Sequence, residues 1–192
     1  MPSQIIRLHN VQLAFPAIAQ PQAYADGEPA YGAKFPIEPG SENHKKIEDA
    51  MLAVAKEQWN DKGEATLKRL VEDGKVALTK KVYRSKKTNE AYEGFEGMHY
   101  ISARATKTAP TVYDQYNTKI EDKRTIERMA YSGAIVHASI EIWSQDNKWG
   151  QRINCSLRGL MLTGKGSDLS GGSAPASEDE FADLADKAED FV

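Results

Sequence analysis

Residues 133–144, GAIVHASIEIWS, alternate without a break: Val136, Ala138, Ile140 and Ile142 fall on one side of an extended chain, and His137, Ser139, Glu141 and Trp143 on the other. Period two marks a strand with one buried face, because successive side chains leave a pleated backbone in opposite directions. Asp146, Asn147 and Lys148 supply a turn, and residues 151–162 return as a second strand. Ile153, Cys155 and Leu157 point inward there, while Arg152, Asn154, Ser156 and Arg158 lie on or near the other face. This long hairpin sets the class as mainly β. Trp143 on the polar side is unusual for so large a ring, which makes it a candidate exposed aromatic.

The pattern holds upstream. Residues 98–106 place Ile101, Ala103 and Ala105 on one face and Tyr100, Ser102 and Arg104 on the other, and residues 76–84 read as the preceding strand. The loop 85–97 joins them, with Gly94 and Gly97 for turns, and residues 109–116 make a further short strand. Residues 117–128, charged and mixed in sign, read as loop or short helix. Near the start, Ile5, Ile6, Leu8, Val11, Leu13 and Phe15 form a strand with Asn10 as a bulge, closed by Pro16; a loop over residues 16–29 leads to a second strand carrying Tyr31, Ala33, Phe35 and Ile37. Ser41 is the expected N-cap of one helix, in which Ile47, Met51, Val54, Ala55 and Trp59 recur at helical spacing and pack inward. A second helical piece with Leu67, Leu70 and Val71 ends at Asp73 and Gly74.

Charge is distributed unevenly. The chain of 192 residues carries −3, yet residues 177–192 alone carry −6, seven acids against Lys187, so residues 1–176 carry +3. A mildly basic body with an acidic end differs from a uniformly acidic protein. An apolar fraction of 40% supports a true core. Cys155 is the only cysteine, which excludes an internal disulfide and a cysteine zinc cage and suits a reducing cytoplasm. No signal-peptide pattern and no apolar run of membrane-spanning length occurs, so no membrane association is expected.

The search for chemistry finds little. His9, His44, His99 and His137 are scattered, and Cys155 falls on an inward strand register. The run GLMLTGKG at residues 159–166 nearly matches a phosphate-binding loop, but Gly166 stands where a magnesium-holding hydroxyl belongs and no helix follows. No cofactor is expected, and the chain reads as a non-enzyme.

Residues 80–116 are richer. Lys80, Lys81, Tyr83, Arg84, Lys86 and Lys87 follow one another without an acid among them, then come Tyr92, Phe95, Tyr100, Arg104, Lys107, Tyr113 and Tyr116, so that five of eight tyrosines lie here. Cations that track a phosphate backbone, interleaved with rings that stack on bases, are what a surface needs to hold an unpaired strand. A solvated sheet edge guarded by lysine is the plainer reading of the same run. The candidate DNA-binding set is Lys80, Lys81, Tyr83, Arg84, Lys86, Lys87, Tyr92, Tyr100, Arg104, Lys107, Tyr113 and Trp143.

Residues 164–177, rich in Gly, Ser and Pro, read as a flexible tether of roughly 20 Å reach. Beyond it Glu178, Asp179, Glu180, Asp183, Asp186, Glu189 and Asp190 surround Phe181, Leu184, Ala188 and Phe191 at helical spacing. Strands with an inserted helix, a basic aromatic surface, a tether and this tail resemble the bacteriophage single-stranded-DNA-binding proteins of OB-fold type, the T7-like replication group. The likeness is closest in residues 132–143 with the turn that follows, in residues 150–159, and in the tail, although Val192 follows Phe191 where the commoner pattern ends on phenylalanine.

That resemblance implies a five-stranded OB barrel with an inserted α-helix over residues 1–163, and a disordered acidic tail over 178–192 that recruits replication proteins such as DNA polymerase or helicase and competes with DNA. It implies sequence-tolerant coating of single-stranded DNA during phage replication and recombination in the host cytoplasm, and leaves room for a homodimer. The rivals are a nucleic-acid enzyme, either a nuclease or a strand-annealing recombinase, and a protein-interaction module whose tail mimics DNA.

Overall fold

A computed structural model describes residues 1–23 and 27–167. The strands are β1 (Ser3–Gln12), β2 (Ala14–Gln22), β3 (Ala30–Ile37), β4 (Leu78–Thr79), β5 (His99–Ala105), β6 (Thr111–Tyr113), β7 (Ala134–Asn147) and β8 (Gly150–Gly166). Helices α1 (Glu42–Trp59) and α2 (Gly63–Glu72), joined by a 3-10 turn, lie between β3 and β4, and α3 (Lys123–Met129) precedes β7.

The strand order β1-β7-β8-β5-β3-β2 begins and ends on neighbouring segments, because β1 and β2 are separated by Leu13 alone. They are two halves of one bent strand. Leu13 stays paired at the corner: its N–H donates to the Ala134 carbonyl at 2.8 Å, and its own carbonyl accepts from the Gly133 N–H at 2.7 Å. Counting the bent strand once gives five long strands in the order first-second-third-fifth-fourth-first, closed on themselves. This is an OB-fold barrel, with β5 and β8 running parallel and β4 and β6 as short additions.

The bend is encoded locally. Asn10 takes φ 49° where the β1–β7 register shifts between Leu8 and Val11, the expected bulge. Pro16 does not close the strand, nor does a loop occupy all of residues 16–29; β2 continues to Gln22. The β2–β3 register shifts between Ala14 and Ala17, and Phe15 takes φ 49°. The imino group of Pro16 therefore sits in a bulge, where no ladder N–H is demanded.

The alternation of β7 is reproduced residue by residue, and Val136, Ala138, Ile140 and Ile142 are buried. Phe35, Ile37, Ile101, Ala103, Ile153, Cys155 and Leu157 fill the barrel from facing strands. Burial pushes the Cys155 thiol pKa well above its ordinary value. Ser41 caps α1 by accepting the His44 N–H at 3.2 Å, and Ile47, Met51, Val54 and Ala55 seal one side of the barrel. Trp59 is partly buried, and its indole N–H donates to Asp146 at 2.6 Å, tying the helix to the β7–β8 hairpin.

Three boundaries move. Of the strand expected over residues 76–84 only Leu78 and Thr79 pair with β5. The chain then leaves the sheet as the Lys80 ammonium reaches Glu48 on α1 at 2.6 Å, and Arg84 returns only as an isolated bridge to Ala91. The hairpin turn consists of Lys148 and Trp149, between Asn147 and Gly150, one residue further along than its turn-forming residues suggested. Strand β8 runs to Gly166, so the ordered body extends past 163; residues 168–192, with most of the expected tether and the whole tail, lie outside the described residues.

Candidate nucleic-acid interface

The barrel's outer face carries a groove of about 1130 Å3 between β4–β5 and β7–β8. Period-two alternation places its side chains: Tyr100, Ser102 and Arg104 rise from β5, Glu141, Trp143 and Gln145 from β7, and Arg152, Asn154, Ser156 and Arg158 from β8. Lys75 and Lys107 stand on the flanking loops. Five cations therefore meet two acids, Glu28 and Glu141, and Glu141 already pairs with Arg158 at 3.4 Å. The face is net positive.

Trp143 is half-buried, with its indole N–H donating to the Ser156 hydroxyl at 2.9 Å. That bond fixes the ring edge and leaves the ring lining the groove. Ser156 is also the residue through which β8 registers with Arg104 of β5, so ring and guanidinium are set by the same strand. Arg104 lies opposite Gly32 of β3, where a Cβ would come within 2.7 Å of the Ala103 carbonyl and 3.4 Å of Arg104 Cγ. A bare glycine here lets the arginine stem lie across β3. Lys34, next along β3, donates to Ser102 Oγ at 3.1 Å and lies over the rings of Tyr83 and Tyr100, at 4.9 and 5.8 Å from their centroids. Burial first, and Arg104 second, lower the Lys34 pKa.

Of the candidate set, Tyr100, Arg104, Lys107 and Trp143 line this groove. Tyr83 and Tyr92 do not. They stack on each other at 5.1 Å with 22° between planes, with Phe15 edge-on to both, and Phe95 is buried beneath. Tyr100 joins the two regions, since its ring also meets Tyr83 at 5.1 Å. Lys80 pairs with Glu48, Arg84 donates to the Asn89 carbonyl at 2.9 Å, and Lys81, Lys86 and Lys87 are exposed on the loop outside the groove. Tyr113, on β6, faces a separate pocket.

Lys75, Arg152 and Arg158 were not among the candidates, although alternation along β8 already set both arginines on the polar face. Trp149 was missed as well: it is 77% exposed at the hairpin tip, with the Lys148 ammonium 5.1 Å from its ring centroid. Its place directly after the expected turn residues Asp146, Asn147 and Lys148 was the available signal. Among the described residues no group of three or more His, Cys, Asp or Glu is placed to hold a metal ion.

A closed OB barrel with a cationic, ring-lined face over its third, fourth and fifth strands defines a protein of the oligonucleotide-binding architecture. The chain belongs to the family described as Enterobacter phage Enc34, ssDNA-binding protein, whose profile matches residues 4–192. Protein p50 of Acyrthosiphon pisum secondary endosymbiont phage 1 is 31% identical over 183 residues, 94% of each chain. The single-stranded DNA-binding protein from bacteriophage Enc34, solved in complex with ssDNA, superposes with a TM-score of 0.67 at 26% identity, covering 85% of this chain and 87% of that one. Gp2.5, a single-stranded DNA-binding protein encoded by bacteriophage T7, shares the fold at a TM-score of 0.56 and 13% identity over 98% of both chains.

Proposed function

We propose that this protein binds single-stranded DNA without base-edge readout and coats it during phage replication and recombination in the host cytoplasm, and that it is not an enzyme. The observation that carries the reading is the groove: Trp143 and Tyr100 as rings, with Arg104 and Arg152 around them, all held by paired strands of the barrel, and Lys75 on the flanking loop. Rings stack on any base and cations follow any backbone, so binding is sequence-tolerant and weakens with salt at a log–log slope of about −0.7 per phosphate neutralised. The acidic residues 178–192, with Phe181 and Phe191, compete with DNA for the positive face and engage replication proteins such as polymerase or helicase. From the candidate set Tyr100, Arg104, Lys107 and Trp143 make direct contacts, while the lysines of the 80–97 loop add long-range attraction.

Fluorescence anisotropy with labelled poly-dT tests this, comparing the intact protein with one ending at Ala176, at two salt concentrations and against duplex. Expected are salt-sensitive binding that prefers the single strand and tighter binding after truncation. Binding by neither form overturns the DNA-coating reading. Equal affinity of both forms at low salt overturns the competing tail alone.

A further inference from the structure

A second pocket, of about 510 Å3, opens on the outer face of β1, β6, β7 and β8. It shares Thr111 and Arg158 with the groove, and the Thr111 hydroxyl donates to the Arg158 carbonyl at 3.5 Å, so these two residues form the ridge between them. Among the described residues no acid lines it; Glu141, the partner of Arg158, lies on the groove side. Arg7 projects from β1 and is exposed, Tyr113 contributes a half-buried ring from β6, and Met161 adds an apolar wall from β8. His137 Nδ1 accepts the Asn10 N–H at 3.2 Å, so in the neutral ring the proton resides on Nε2, a donor suited to a base carbonyl. His9 lies edge-on to it at 5.4 Å, its carbonyl and N–H tied to the Asn43 side chain.

From this juxtaposition we infer that the pocket is a second nucleotide subsite, in which Arg7 and Arg158 hold a phosphate and Tyr113 and His137 hold a base of the same strand that fills the groove. The inference rests on the proposed function and extends the strand's path around the barrel, across the Thr111–Arg158 ridge. Arg7, with no acid in the pocket beside it, and Arg158, whose guanidinium is shared with Glu141 across the ridge, suit a phosphate, a ring and a donor suit a base, and continuity with the groove supplies the strand.

The test compares the full-length protein with Arg7→Glu on two oligothymidylates, one of about six nucleotides and one of about sixteen, spanning the range of site sizes known for one OB fold. Lys62→Glu, an exposed change on the 3-10 turn, serves as the equal-charge control. Arg7→Glu is expected to weaken the long oligonucleotide about tenfold, as for removal of a charge-assisted phosphate hydrogen bond, and to leave the short one within about twofold. Lys62→Glu should leave the ratio unchanged. Equal weakening of both lengths, or of neither, overturns the subsite and leaves the groove standing. Binding of neither length by the unaltered protein overturns the groove and the subsite together. Tighter binding of the long oligonucleotide by Arg7→Glu, lost on truncation at Ala176, would show that the acidic tail occupies the pocket and overturns the inference.

Discussion

The groove and the 80–97 loop contain the same residue types, tyrosine or tryptophan beside lysine or arginine, yet the chain holds them in different ways. In the groove the side chains stand on long paired strands, where Trp143 sits opposite Asn154 and Arg104 opposite Ser156. In the loop the rings turn onto one another, Tyr83 on Tyr92 with Phe95 beneath, and form a small core that keeps the loop in place without a ladder. A ring whose face is already covered by another ring has little left for a base. Density of cations and tyrosines in sequence therefore draws attention to the loop, whereas on β7 and β8 the same chemistry is spaced two residues apart.

The sharpest way to break this comparison is to remove one ring from each side. Trp143→Ala should weaken single-strand binding by about tenfold or more, since a base–aromatic stack is worth on the order of 1–3 kcal/mol. Tyr92→Ala should change affinity less than about twofold while lowering stability by about 1 kcal/mol, in keeping with the loss of an aromatic pair. Anisotropy titration and thermal unfolding of both variants give the answer. Comparable affinity losses would show that the loop cluster opens to receive bases and that the contrast fails.

Cations allow a finer version. Arg104→Ala and Arg152→Ala should each reduce the magnitude of the salt slope by about 0.7, the signature of one fewer phosphate neutralised. Lys86→Ala and Lys87→Ala, exposed outside the groove, should lower affinity less than about twofold at low salt and change the slope by much less than about 0.7. Equal slope changes in the two pairs would place the strand over the loop as well.

These contrasts also explain what could be read in advance. The unbroken alternation of residues 133–144 and 151–162 reflects a barrel wall with one dry face, and Ser41 and Asn10 announce a cap and a bulge through their own side chains and backbone. Pro16 misled because its lack of an N–H argues against a strand, and only the partner strand's register shows that it falls in a bulge. Lys80 misled because its ion pair with Glu48, on a helix 32 positions earlier, is a tertiary fact. The same limit applies to Tyr83 and Tyr92: whether a ring is free or covered depends on Phe15, which approaches from β2, and on how the loop folds Phe95 beneath them.

The smallest expected effect concerns how the loop is anchored. His44 Nε2 and His99 Nδ1 lie 2.9 Å apart, His44 Nδ1 is 3.4 Å from Glu48, and Glu48 holds Lys80 at the base of the loop. Burial, with His44 and Lys80 adding to it, keeps the His99 pKa below its ordinary 6.5. The folded protein thus takes up this proton less readily than the unfolded chain. The His99 contribution to stability is complete above about pH 6.5 and is lost as the pH falls from there through the lower, folded value. The Glu48 pKa is also lowered, chiefly by the Lys80 hydrogen bond, so its contribution persists to more acid conditions and goes only as the pH falls below the ordinary carboxylate value of 4.5. Hydrogen exchange should therefore show amides of residues 80–97 losing protection below about pH 6.5, while β7 and β8 keep theirs, once intrinsic exchange rates are corrected for pH. His99→Asn should flatten the first step of this dependence and leave the acid step. Parallel loss of protection in loop and barrel would mean that the histidine pair supports the whole fold, and that the loop is no more loosely attached than the groove.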